Sequence, residues 1–136
     1  IRDKRIPMEM CLSSNIHTGA AATLDEHPFP LYFRNDFRVL LCTDNRLMSN
    51  TTLGKELLLA VNHYNLDLRD LEKITINAMK SAFIHHDERI RIIYDILKPG
   101  FSRIREEITS RLFGFTAARI ARTSACIWRD LAWCSR

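Results

Sequence analysis

An apolar run, Val39-Leu40-Leu41-Cys42, ends abruptly in the polar cluster Thr43-Asp44-Asn45-Arg46. In barrel and open α/β folds the C-terminal ends of parallel strands carry the chemistry, so a carboxylate there can ligate a metal or transfer a proton. An aspartate after a strand also serves as a cap or turn former, and Asn45 shapes turns equally well. Ser13, Ser14 and Thr18-Gly19 leave a second apolar run, Ile6 to Leu12, and are expected to face the same rim. The five histidines (His17, His27, His63, His85, His86) form no HxH and no HExxH. Side chains of the adjacent His85 and His86 diverge on a helix or strand, so they do not share a metal easily. The four cysteines form no CxxC or zinc-ribbon pattern. Cys11 and Cys42 lie in apolar runs, as small buried hydrophobes do, and Cys126 and Cys134 could meet only if the end of the chain folds locally. A reducing cytoplasm suits this usage.

The elements that position these residues can be read from spacing. Ile6–Leu12 and Phe37–Cys42 are predicted strands beginning about 30 residues apart, the length of one strand-helix-strand unit. Ser13–Gly19 is predicted as a loop. Leu24–Phe33 has helical spacing, and Pro28 and Pro30 restrict any helix there to a short turn. Asn50-Thr51-Thr52 supplies N-cap residues, with Glu56 as capping partner, for a helix over Leu53–Tyr64. Asp67-Leu68-Arg69-Asp70 caps a second helix, with Leu68, Leu71, Ile74, Ala78, Ala82 and Phe83 on its inner face. Asp87-Glu88 opens a third, carrying Ile90, Ile93, Tyr94 and Leu97, and Pro99-Gly100 is expected to stop it. The order is α/β, and two parallel strands with a few helices neither close a barrel nor cover both faces of a sheet.

Three blocks are more specific than these patterns. Met10-Cys11-Leu12-Ser13-Ser14-Asn15-Ile16-His17-Thr18-Gly19-Ala20, then Val39 to Ser49, then Ile76-Asn77-Ala78-Met79-Lys80-Ser81-Ala82-Phe83 resemble, in order and spacing, the C-terminal third of zinc-dependent adenosine deaminases. The resemblance spans roughly Arg5 to Gly100. It implies that the chain is the C-terminal fragment of a (β/α)8 TIM barrel, its last two strands plus terminal helices. In that family three histidines and one aspartate hold zinc, and the metal turns a water into the hydroxide that attacks carbon 6 of the purine. The resemblance places Asp44 as the aspartate ligand, and a carboxylate is a normal zinc ligand. Many members carry a second aspartate where Asn45 stands. An asparagine amide can donate to a purine ring nitrogen, which an ionised aspartate cannot, so Asn45 is a substrate-binding candidate. Ser13 or Ser14 is expected to support the ligand from behind. His27-Pro28 resembles a family pair before a helix and is read as structural. The remaining zinc histidines, a general-acid glutamate and a catalytic histidine belong to earlier strands of the family, upstream of Ile1. The fragment alone is therefore expected to be inactive. It also lacks the H-x-E…P-C-x-x-C signature of cytidine-type zinc deaminases.

Composition sets the remaining bounds. At 136 residues, 46% hydrophobic and 26% charged, the chain has the composition of a globular protein and the size of one domain. No run approaches the roughly 20 apolar residues of a membrane span. The start, Ile1-Arg2-Asp3-Lys4-Arg5, carries neither a signal-peptide pattern nor an initiator Met, as expected of an internal start. Residues 1–100 carry 13 basic and 13 acidic side chains, whereas 101–136 carry 7 arginines and 3 acidic residues. We therefore divide the chain into 1–100, the deaminase-like barrel part, and 101–136, an unassigned basic tail whose Trp/Cys/Arg-rich composition also fits a non-native extension. Ile104, Ile108, Leu112 and Phe115 recur in the tail at helical spacing. The expected partners are a purine nucleoside and the remainder of the barrel, with no membrane span and no nucleic acid. The rival is a non-catalytic interaction module: Arg103, Arg105, Arg111, Arg119 and Arg122, with Trp128 and Trp133, could bind an anionic partner.

Overall fold

The computed structural model describes residues 1–111; Ile1–Lys98 forms one compact unit, and a second begins at Pro99. Strands β1 (Met8–Met10) and β2 (Val39–Leu41) pair in parallel, Met8 opposite Val39 and Met10 opposite Leu41. The ladder runs slightly beyond both, with Met8 N donating to Arg38 O at 2.9 Å and Cys42 N to Met10 O at 3.0 Å. Every residue of β2 is buried, as a parallel strand covered on both faces requires. Helices α1 (Leu12–His17) and α2 (Phe29–Arg34) form the crossover, and α3 (Leu53–Tyr64), α4 (Leu68–Ser81) and α5 (His86–Arg91) follow β2. A π-helical stretch, Ile92–Leu97, completes the first unit.

Local chemistry explains most of these bounds. Pro28 and Pro30 flank the first residue of α2, where a missing N–H costs nothing because first-turn donors have no helical partner. Thr52 caps α3, its Oγ1 accepting from Lys55 N at 3.2 Å, and Asn65 ends it in the left-handed conformation at φ +54°. At the start of α4, Asp67 and Asp70 cap each other reciprocally, at 2.8 and 3.1 Å.

The core gathers Met10, Leu12, Phe29, Phe33, Val39, Leu41, Ala60 and Ile74. Phe29 is fully buried, stacks on Phe33 at 5.6 Å and leans on Tyr64 at 5.3 Å. Burying a side chain of that size contributes about 1.5–3 kcal/mol. Asn77, buried on α4, donates from Nδ2 to Val39 O at 3.0 Å and so ties α4 to the start of β2.

Four expectations are corrected. Ser13–Gly19 is not a plain loop, because α1 occupies Leu12–His17: Leu12 is fully buried, and Glu56 takes the otherwise orphaned Ser13 N–H. Glu56 is correspondingly not a capping partner of its own helix; its carboxylate turns inward. Phe83 leaves the inner face and is fully exposed, since α4 ends at Ser81 and Ala82 is extended (φ −64°, ψ 143°), which breaks the helical spacing. Pro99-Gly100 does not stop a helix, and residues 98–111 are helical. The preceding turn is widened, Lys98 N donating to Ile93 O five residues back, which relieves the clash a proline makes with the carbonyl four back. Leu112, Phe115, Arg119, Arg122, Cys126, Trp128, Trp133 and Cys134 lie outside the described residues. Among the described residues no helix is long and apolar enough to cross a membrane.

Candidate functional site

The site forms where the two strands end side by side. Three residues past β2, Asp44 takes a left-handed backbone, φ +51°, which aspartate tolerates better than most side chains. Its exposed carboxylate meets the buried Ser14 on α1, whose Oγ donates to Asp44 Oδ2 at 2.7 Å. Oδ1 has no hydrogen-bond partner among the described residues. The hydroxyl thus fixes one oxygen and leaves the other to bind a cation or accept from a water.

Asn45 shapes the turn. Its Oδ1 accepts from Met48 N at 3.2 Å and its backbone carbonyl from Ser49 N at 3.0 Å, which builds the turn after Asp44. The Nδ2 donors have no partner among the described residues, and the residue is exposed.

Beneath this rim, the fully buried Glu56 on α3 accepts from Thr51 Oγ1 at 2.6 Å and from Ser13 N at 3.1 Å. Glu56 therefore holds the residue adjacent to Ser14, which in turn holds Asp44. No sequence signal links Glu56 to Ser13, 43 residues away; only the packing of α3 on α1 joins them.

His27 is buried between two donors: Nδ1 accepts from Phe29 N at 3.1 Å, and Nε2 lies 2.9 Å from Asn15 Nδ2. Burial lowers its pKa from 6.5, while the Glu56 charge pulls weakly upward. The expected structural role of His27 accords with these bonds. His63 Nε2 lies 2.9 Å from Asp25 Oδ1, and His85 Nδ1 accepts from Asp87 N at 3.4 Å. Among the described residues no group of three or more His, Cys, Asp or Glu is placed to hold a metal. With one oxygen uncommitted and the other held by a hydroxyl, Asp44 has the chemistry of a metal ligand.

The apolar runs around Cys11 and Cys42 suit small buried hydrophobes, yet both are only half-buried and their Sγ atoms lie 3.0 Å apart. Burial, and next the bond to Cys42, pushes the Cys11 thiol up to about 12. The signal was present in the spacing: the register offsets partners by 31 residues, Met8 to Val39, and the two cysteines are 31 apart.

A family model described as Adenosine deaminase matches residues 1–99. The adenosine deaminases of Mycobacteroides abscessus and Mycobacterium marinum are 54% and 52% identical over 102 residues, 75% of this chain. The chain spans 28% of the length of these curated relatives. Among solved structures, the apo N6-methyl-AMP deaminase of Arabidopsis thaliana superposes with a TM-score of 0.65 at 27% identity, over 78% of this chain and 30% of that one. The adenine deaminase of Arthrobacter aurescens gives 0.70 at 16% identity, over 74% and 31%, a likeness of fold alone. These neighbours are (β/α)8 barrels, and the two parallel strands with their helices are a fragment of that architecture. The match over residues 1–99 and the identity to its members place this chain in the adenosine deaminase family.

Proposed function

We propose that residues 1–100 are the C-terminal part of a zinc-dependent purine nucleoside deaminase, which hydrolyses adenosine to inosine in the cytoplasm, and that 101–136 is an unassigned basic tail. The observation that carries this reading is the Ser14–Asp44 hydrogen bond of 2.7 Å at the paired strand ends. It holds a carboxylate with one uncommitted oxygen where a barrel places its chemistry. Asp44 is one zinc ligand, and the others come from the remainder of the barrel. When bound, a zinc ion supplies Lewis acidity and brings a coordinated water's pKa toward neutrality. Asp44 would hold the metal through Oδ1, with Ser14 keeping the carboxylate from rotating. Asn45 donates from Nδ2 to a ring nitrogen of the purine, its other end fixed by Met48 N. Free thiols at Cys11 and Cys42 fit a reducing compartment.

With one ligand and no general acid, the fragment alone is inactive. The test is to isolate the protein at its native length from source cells, then measure intact mass, zinc per chain and adenosine turnover, with Asp44→Ala alongside. A complete barrel of roughly 250 or more residues, with metal and turnover both lost in the variant, is the expected result. Unchanged zinc in Asp44→Ala removes it from the ligand set. A native mass equal to this chain's 15.9 kDa instead favours the interaction module with its basic tail.

A further inference from the structure

We propose that Cys11 and Cys42 are an oxidisable dithiol, a modification site at which a small-molecule disulfide drives formation of a cross-link between β1 and β2. Three observations carry it. The Sγ atoms are already 3.0 Å apart, needing to close by about 1 Å to reach the roughly 2.05 Å of a disulfide. The two residues follow directly on Met10 and Leu41, which face each other in the parallel register. Adjacent strands lie about 4.8 Å apart, inside the span of roughly 4.4–6.8 Å between Cα atoms that a disulfide bridges. Both side chains are half-buried, so a small oxidant reaches them while a protein thiol from another chain is hindered.

The reaction balances as two exchanges. One cysteine sulfur attacks the oxidant R–S–S–R, forming a mixed disulfide and releasing R–SH. The second cysteine sulfur attacks from contact distance, the Cys11–Cys42 bond forms, and a second R–SH leaves. One S–S bond breaks and one forms, two electrons pass to the oxidant's sulfurs, and both thiol protons leave with the released thiols. Cys42 lies two residues before Asp44 and Cys11 three before Ser14, so the bond locks together the strand ends that carry both partners of the site. A transient cross-link of this kind is the form cytosolic disulfides usually take. It depends on the register of two strands and not on any bound metal.

The test uses the native-length protein isolated from source cells, reduced, desalted and incubated with oxidised glutathione, then alkylated and digested with trypsin without reduction. The expected product is the peptide Ile6–Arg34 linked to Val39–Arg46. It should form at least about tenfold faster in native buffer than in concentrated urea, because the fold holds the two sulfurs together. In Cys11→Ser, Cys42 should retain a stable glutathione adduct. Glutathione adducts on both cysteines of the unmutated chain without the linked peptide would overturn the proposal. So would linkage no faster than in urea, where Cys126 and Cys134 compete for the same partners.

Discussion

The Ser14 hydroxyl reaches across from the end of β1 to the Asp44 carboxylate beyond the end of β2, at 2.7 Å. Ser14 is buried and Asp44 is exposed, so the rigid partner sets the orientation of the accessible one. If Asp44 ligates zinc, removing this hydroxyl should loosen the metal without removing a ligand. In the native-length protein, Ser14→Ala is expected to weaken zinc binding or turnover about 10–100-fold. Chelator competition and initial rates check this, and unchanged values would detach Ser14 from the site.

Glu56 offers a test of stability without touching the rim. Its carboxylate is fully buried and satisfied by Thr51 Oγ1 and Ser13 N. Glu56→Ala leaves both donors without a partner and opens a small void, so a loss of about 3 kcal/mol is expected from bonds to a charged group. Glu56→Gln keeps the shape and one acceptor and should lose less. Urea denaturation of the two variants in the native-length protein measures the difference, and equal losses would show that charge, not shape, is what the site needs.

His27 should make the fold acid-sensitive. Burial lowers its folded pKa below the 6.5 of an exposed histidine. The unfolded chain therefore binds the proton more readily, stability is fully present above pH 6.5, and it is lost as pH falls through the lowered folded value. Protonation of Nδ1 would also end its acceptance from Phe29 N. The urea midpoint measured from pH 7.5 to 5 should fall on the acid side, and His27→Gln should flatten that dependence. An identical slope in the variant would assign the acid sensitivity to other groups.

The two-stranded sheet has an open edge on each strand, since β1 and β2 pair only with each other among the described residues. Unpaired backbone groups on parallel strands invite association with other chains. The chain expressed alone is expected to elute above its monomer mass in size-exclusion chromatography and to melt without a sharp transition. A monodisperse monomer with a cooperative melt would show that the pair is self-sufficient.

Local chemistry determined much of this protein from sequence alone. The bounds of α3 follow from Thr52 as cap and an apolar stripe, those of α4 from the Asp67–Asp70 box, and the brevity of α2 from Pro28 and Pro30. These signals act within a few residues, where sequence distance and spatial distance coincide. The placement of Asp44 and Asn45 after a strand was legible for the same reason. Tertiary structure decided what depends on contacts between distant segments. It made α1 a helix where a loop was expected, because Glu56, 43 residues on, satisfies the Ser13 N–H. It turned two unrelated-looking cysteines into a pair, because the parallel register joins positions 31 apart. It set Ser14 against Asp44, since only the pairing of β1 with β2 brings those strand ends within hydrogen-bonding reach.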